Sequence, residues 1–540
     1  MSTGQYKQGL DRGQASFLPP RVEDYVGADN PVRAIEAYAD GIDLAGLGFR
    51  HARRGSGAGQ PPYDPADLLK LYLYGYLNRV RSSRLLEREA GRNLEVIWLL
   101  RGQRPGYRTI AKFRAENAVA LRAANRDFVR LLGRLALLGG DLVAIDGAFF
   151  DGNASKSSVV TARRLGERLA ALDRDIDAYA EALAASDASE AAGPAVGSVD
   201  PGAAMAALLA RRAETAVMLG QLEASGETQH CRTDADARLL SKSGQSLCGY
   251  NVQIAVDAAH KLIVASEVVN DGNDTGQLHD LAAAAQSALS VETLRVVADV
   301  GYHNGETLRA CEADGIEAFV ATPMRGRQLP AEGRFGHASF VYDGAEDLYR
   351  CPAGETLRPL SGRLKDRTGK WRTRYVSRRS ICQVCPLRLG CLSPRSDRRT
   401  IERWEHEDVL DRHRARMATE AAAAVLRRRK TLAEHPFGTL KCRAGYRHFL
   451  VRGFAKVRGE WALMALCYNL GRLINIIGLA AFIASIARLA ARLAALIAHS
   501  RAHAALQYFL TRRSIQHKQN SDKWPSRSYK APSRPAIQPA

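Results

Sequence analysis

Apolar positions in YDPADLLKLYLYGYLNRVRSSRLLEREA, residues 63–90, return every three or four places (Leu68, Leu69, Tyr72, Leu73, Tyr76). That is the repeat of a helix with one buried face. Asp64 followed by Pro65 supplies an N-cap and a proline at the first helical position. A second segment of the same kind, RTIAKFRAENAVALRAANRDFVRLLGRLALL, follows Pro105-Gly106, so residues 1–140 read as a helical domain. Short basic helices around a glycine-containing break suit helix-turn-helix DNA binding, and equally a helical cap on the next domain. At residue 141 the period changes. DLVAIDGAFFDGNASK opens with the apolar run LVAI, a short buried strand closed by the turn signal Asp146-Gly147. Residues 157–225 then hold two Ala- and Leu-rich helical patterns joined by SDASEAAGPAVGSVDPG, an inserted helical hairpin that spans about 157–230. Alternation returns in GYNVQIAVDAAHKLIVASEVVN, a hairpin over 249–270. A helix over about 276–290, the strand LRVVAD ending at Asp299, and the strand IEAFVATP complete a mixed α/β sheet.

Beyond residue 325 the pattern weakens. Residues 326–400 are basic and loop-rich, and residues 361–400 hold 12 Lys/Arg against Asp366 and Asp397 alone. Helix is expected again over about 405–430 and from 454 onward, within a segment 401–480. Residues 481–540 read as an amphipathic helix followed by a basic, Pro/Ser-rich tail without fixed structure.

Charge narrows the possible partners. The 540 residues carry 77 Lys+Arg against 57 Asp+Glu, a formal charge of +20 with a pI near 9.7. Such an excess favours polyanions: nucleic acid or an anionic membrane. The best membrane candidate, residues 473–487, has 15 uncharged residues, short of the roughly 20 a spanning helix needs. Nucleic acid is therefore the expected partner. The opening MSTGQYKQGLDRGQASF lacks the apolar core of a secretory signal, and nine scattered cysteines form no secreted-type framework, so a reducing cytoplasm is expected.

Three acids stand out. Asp146 and Asp299 each follow an apolar strand and precede a glycine within two residues. Strand ends of an α/β sheet are where ligands collect. Two carboxylates gathered there repel unless a cation bridges them, and an oxygen-rich site suits Mg²⁺ or Mn²⁺. Two such ions about 3.5–4 Å apart serve phosphodiester chemistry. The competing reading is that each Asp-Gly is only a turn. Glu434 is the one acid in RRRKTLAEHPFGTLKCRAGYR, residues 427–447, among seven cations. It precedes Lys441 by seven residues, about two helical turns, so the acid can hold metal while Lys441 meets a phosphate. Pro436 and Gly438 place Glu434 at a helix entrance. Glu460 in KVRGEWALMALCYNL is the alternative third acid, or a salt-bridge residue on a helix face.

The chain resembles the DDE transposases of bacterial insertion sequences, in the branch grouped as insertion sequence four/five-like, and is most similar to the group numbered eleven-eighty-two. The resemblance rests on YDPADLLKLYLYGYLNRVRSSRLLEREAGRN, RTIAKFR, AIDGAFFDGNASK, LCGYNVQIAVDAAHKLIVASEVVNDGNDTGQL, VVADVGYHNGE, CPLRLGC and EHPFGTLK, in that order over residues 30–475. It implies a ribonuclease-H-like catalytic core whose Asp146, Asp299 and Glu434 bind two divalent metals. The family's Glu precedes a Lys with six residues between, as Glu434 and Lys441 do. The sequence departs from the family at the auxiliary Tyr and Arg slots, held here by Arg427 and Lys430, and at Ala148, where Thr or Ser is usual. The implied activity is cutting at transposon ends followed by attack of the freed 3′ hydroxyl on target DNA. A nuclease on the same fold and a non-catalytic DNA-binding derivative are the alternatives. Lys441, Lys430, Arg427, Lys156, Arg108 and Arg114 are the expected DNA contacts. A homo-oligomer on DNA in a bacterial cytoplasm is the expected setting.

Cys351, Cys382, Cys385 and Cys391 fall within 41 residues. They read as a four-thiolate zinc site or as free thiols along the DNA path. Asp234, Asp236 and Asp274 read as loop acids in turn chemistry. Tyr302 and His303 suit either a DNA-end contact or packing.

Overall fold

The computed structural model describes residues 21–53, 61–189, 201–242, 244–323, 335–366 and 369–492, with Ala495 and Gln507. Six N-terminal helices come first: α1 (Val32–Gly41), α2 (Pro65–Leu77), α3 (Ser83–Arg92), α4 (Leu94–Leu99), α5 (Tyr107–Glu116) and α6 (Ala118–Arg134). Asp64 caps α2 as its sequence predicts, accepting from the Ala66 amide at 2.8 Å with Pro65 in the first turn. Long central strands follow: β1 (Leu142–Asp151), then β2 (Val159–Thr161), the paired helices α7 (Ala162–Ser189) and α8 (Pro201–Ser225), and β3 (Gln229–Cys231). β2 and β3 pair at the base of that helical hairpin. Next come β4 (Arg238–Lys242), β5 (Gln245–Asp257), β6 (Ile263–Val269), α9 (Leu278–Leu289), β7 (Leu294–Ala298), α10 (Gly305–Ala313) and β8 (Ile316–Val320).

The main sheet is mixed, as expected. Its order is β4 and β6 on one side of β5, then β1, β7 and β8. β4, β5, β6 and β1 are antiparallel neighbours, whereas β1, β7 and β8 run parallel. One expectation fails: Asp146-Gly147 is not a turn. β5 stays paired to β1 from Val143↔Asp257 to Asp151↔Gly249, so both residues lie mid-strand. What ends near Asp146 is the other neighbour, because β7 pairs β1 only over Leu142, Val143 and Ala144.

Residues 335–404 form a second sheet rather than loops, built from β9 (Val341–Asp343), β10 (Leu348–Arg350), β11 (Thr356–Lys365), β12 (Trp371–Val376) and β13 (Thr400–Trp404). Two short helices, α11 (Arg379–Val384) and α12 (Arg388–Cys391), lie between β12 and β13. The chain then returns to the main sheet with α13 (Glu407–Met417), α14 (Glu420–Phe437), a π-helical turn over Gly438–Arg443, and α15 (Phe454–Ile477). The expected helix over 405–430 is thus two helices, parted where the Thr419 hydroxyl caps α14 by accepting from the Ala422 amide at 3.2 Å.

α15 is the spine. Every residue from Gly459 to Leu470 is buried, and the N-terminal helices share one apolar core with α15 and the face of β5 that carries Val252, Ile254 and Val256. Asn469 clamps it to β6, accepting from Ile263 N at 2.9 Å and donating to Ile263 O at 2.8 Å. The loop acids Asp234 and Asp236 hold its start, accepting from Gly453 N at 3.0 Å and Phe454 N at 2.7 Å. Gly478, at φ +81, ends it. Among the described residues no single helix is long and apolar enough to cross a membrane; α15 and Leu479–Arg492 meet at a bend of 108°. The expected basic tail lies outside the described residues, Gln507 apart.

Candidate active site

Alternation along β1 decides where Asp146 points. Leu142 and Ala144 pack with Val297 of β7, Phe319 of β8 and Ala422, Val425, Leu432 and Ala433 of α14. Asp146 follows Ala144 by two, so it shares that face. There the Arg429 Nη1 stands 3.9 Å from its Oδ1. Val297 of β7 is on the same face, and Asp299 follows it by two residues, just past the end of β7 at Ala298. The β1–β7 register ends at the pair Ala144↔Val297, so Asp146 and Asp299 each lie two residues beyond the last paired position of these parallel neighbours. Asp299 also caps the turn Val300–Tyr302, its Oδ1 accepting from Gly301 N at 2.8 Å.

α14 lies across this edge. Arg429 reaches Asp146, while two turns later the Phe437 ring sits 6.2 Å from that of Phe150 on β1. Glu434, exposed, falls between these anchors. It occupies the last turn of α14 rather than a helix entrance, because the helix continues through Pro436 to Phe437 and its Glu434 carbonyl accepts from Gly438 N. His435 fixes that turn to α15: its Nδ1 lies 2.8 Å from the Tyr468 hydroxyl. The π-helical turn follows at once, and such turns often accompany functional sites.

Lys441, in that π turn, is half-buried. Its ammonium donates to the Phe149 carbonyl and stands 4.3 Å from the centroid of the Phe150 ring. It is a fixed cation on β1, three residues past Asp146. Arg427 and Lys430 on α14, Lys156 and Arg108 are exposed. Arg114 is a correction: it is buried, donates to the Tyr76 hydroxyl at 3.2 Å and pairs with Glu460 at 3.6 Å. A guanidinium held in the core has no face to offer a phosphate. Glu460 is removed as an alternative acid by the same network. Fully buried, it accepts from the Tyr76 hydroxyl at 2.9 Å and Leu450 N at 2.8 Å, and pairs with Arg81 at 3.7 Å.

Asp274, read from the sequence as a turn acid, is an unforeseen part of the site. Its Oδ1 accepts from Asn251 Nδ2 at 2.9 Å and Gln253 Nε2 at 2.6 Å. A Cβ on Gly147 would come 2.7 Å from that oxygen, and one on Gly301 would come 3.6 Å from Oδ2. Gly147 thus makes room for the Asp274 carboxylate, whereas at Gly301 a Cβ would meet it only in ordinary contact. Tyr302 packs here too, buried and donating to Gln253 Oε1. Burial pushes its phenol well above the ordinary range, and the charges of Asp274, Asp146 and Asp299 add to this. Packing, not an open DNA contact, is its position.

Among the described residues no three His, Cys, Asp or Glu side chains already converge on one metal-binding point. The donor chemistry nonetheless suits a hard cation. The candidate ligands are carboxylates, and a guanidinium already lies against Asp146. The four clustered cysteines surround a separate cavity beside the second sheet. Burial raises the Cys391 thiol, and its neighbours Cys382, Cys351 and Cys385 act in the same direction.

Residues 350–474 match the family model described as a transposase DDE domain, and residues 20–116 match a transposase domain (DUF772). Both are transposase domains. Together they support a DDE transposase; the first covers Glu434 but neither Asp146 nor Asp299. No curated protein matches the chain. Among solved structures, the chain is similar to the piggyBac transposase synaptic complex with hairpin DNA at 9% identity and TM-score 0.32, over 86% of this chain and 80% of that one.

Proposed function

We propose that the chain is a DNA transposase of the insertion-sequence type. In this reading Asp146, Asp299 and Glu434 form the acid triad of a ribonuclease-H-like core. What supports it is the placement of Asp146 and Asp299, each two residues beyond the last pair of the adjacent parallel strands β1 and β7, with Glu434 exposed on the helix whose Leu432 and Ala433 pack on that sheet face. The antiparallel strands followed by two parallel ones support the core assignment. Bound Mg²⁺ or Mn²⁺ would supply activation of the attacking oxygen and stabilisation of the leaving one. Asp146, Asp299 and Glu434 would hold the ions.

The remaining residues position and screen. The Arg429 guanidinium, 3.9 Å from Asp146, offsets its charge and would be near a DNA phosphate held at this site. Lys441 holds β1 to the π turn, fixing the distance from Glu434 to the strand. Arg427 and Lys430, exposed on the same helix, would contact backbone phosphates.

The test is cleavage of a labelled duplex carrying the transposon end. Asp146→Asn, Asp299→Asn and Glu434→Gln should each abolish metal-dependent cutting while DNA binding, which rests on the cations, survives. Full cutting by any of the three would remove that acid from the site. Cutting without joined product in the unaltered protein would favour a nuclease.

A further inference from the structure

We propose that Cys351, Cys382, Cys385 and Cys391 bind one structural zinc ion that closes the second sheet, independently of the acid site. Three separate segments place the thiols around one cavity, although no three of them converge on a single metal-binding point as they stand. Cys351 follows β10, Cys382 and Cys385 lie on and just after α11, and Cys391 ends α12. All four, with Arg388 and Arg399, line one cavity of about 30 Å³. None of the four is in a disulfide.

Local backbone favours ligation. Cys351-Pro352-Ala353-Gly354 is a tight turn in which Gly354 N donates to Cys351 O at 2.8 Å, with Gly354 at φ +82. Cys385 opens a second, with Arg388 N donating to its carbonyl at 3.1 Å. Cys382 and Cys385 have the two-residue spacing common among zinc-binding thiols, and the turns present Cys351 and Cys385 singly. Each sulfur moves on a single side-chain torsion, so rotation about that bond can close the thiols on an ion.

Charge points the same way. Four thiolates around Zn²⁺ leave a net charge of −2 (−4 + 2), and two guanidiniums face the cavity. Arg399 donates to the Cys391 carbonyl at 3.0 Å, yet its buried Nε has no hydrogen-bond partner. Burying such a donor unpaired is costly; a nearby thiolate would satisfy it.

The unit also needs a fastening. Five buried residues, Phe340, Tyr349, Leu357, Tyr375 and Ile401, form its core, with Cys351 and Cys391 packed at the margin. A core that small rarely holds a sheet of this size alone, and a structural metal is a common remedy.

The experiment uses the full chain, purified without chelator. Elemental analysis should find about one zinc per chain, and replacement by Co²⁺ should give the intense near-ultraviolet band of thiolate ligation. Cys382→Ser with Cys385→Ser should lose the metal and make residues 335–404 a preferred site of proteolysis. Should that variant not fold, a thiol-blocking mercurial added to the unaltered protein should release the zinc as the thiols react. Absence of zinc, zinc retained after either treatment, or a Cys382–Cys385 disulfide found by mass would each overturn the proposal. Loss of cleavage in the acid variants bears on none of these readouts.

Discussion

Asp274 shows how one side chain can organise a site without touching its face. Its oxygens stand behind Gly147 and Gly301, and the Asn251 and Gln253 amides hold it there. Asp274→Ala should leave Gln253 Nε2 unpaired and Asn251 Nδ2 with only the Asp271 carbonyl at 3.2 Å, loosening the backbone at Gly147. Supporting groups of this kind typically cost about 10–100-fold in activity or metal affinity. The expected outcome is a cleavage rate down by that range with the Mg²⁺ requirement raised; an unchanged metal requirement would make Asp274 merely structural. Glu460 is the opposite case, a stability residue. Glu460→Gln leaves Arg81 and Arg114 buried without their counter-charge, which should cost about 3–5 kcal/mol, read as a lowered denaturation midpoint. The role of Asp274 was not legible in the sequence; for Glu460 the salt bridge was expected, but not its burial. Asp274 looks like a loop acid until Gly147 and Gly301, 154 positions apart, are seen on either side of it, and Glu460 looks like a face residue until Tyr76 and Arg114 arrive from the N-terminal helices.

Among the elements, legibility followed the strength of the alternating or helical period. β5, β6, β7 and α2 were readable because their apolar residues recur in period, although α2 and most of β5 are buried on every side rather than on the single face expected of α2. β11 was not, since it buries only Leu357 along ten residues and carries no apolar alternation. β1 was cut short in the reading because Asp-Gly is ordinarily a turn, whereas pairing with β5 holds it extended through both residues. α13 carries a pH-sensitive contact. His413 is buried, its ring 5.5 Å from that of His303. Burial, then His303, Arg416 and Arg414, lower its pKa from 6.5 to about 4. A histidine depressed in the folded state binds its proton more readily when unfolded, so its contribution is complete above 6.5 and shrinks as pH falls toward 4. At about 1.36 kcal/mol per unit, the loss is at most about 3 kcal/mol. Denaturation at pH 7 and pH 5 should show about 2 kcal/mol of this loss, and His413→Phe should make the two midpoints more alike; an unaltered gap would assign the acid sensitivity to other groups.

At the scale of the whole molecule, the N-terminal helices are not a detachable reader. Their apolar residues share one core with α15 and β5, so deleting residues 1–135 should expose α15 and yield aggregated protein rather than a weakly binding remnant. Recognition of the DNA end by these helices is better tested on their surface. Arg50, Arg108 and Lys112 line one groove of about 360 Å³ on the outside of α5, and Arg108 and Lys112 are exposed there. With a formal charge of +20, the chain should bind any duplex through phosphates, and this general affinity should fall steeply with salt. Arg108→Ala with Lys112→Ala would then separate two cases. If the groove only holds phosphates, binding weakens equally on end and random DNA, and the slope of log K against log salt falls by about 1 per lost contact. If α5 reads the end, the variant loses its preference for end over random DNA by more than that general loss, with the fold intact by circular dichroism. Competition binding at two salt concentrations measures both quantities. A variant that retains full end preference would move recognition away from the N-terminal helices, to the exposed cations of α14 or the basic second sheet.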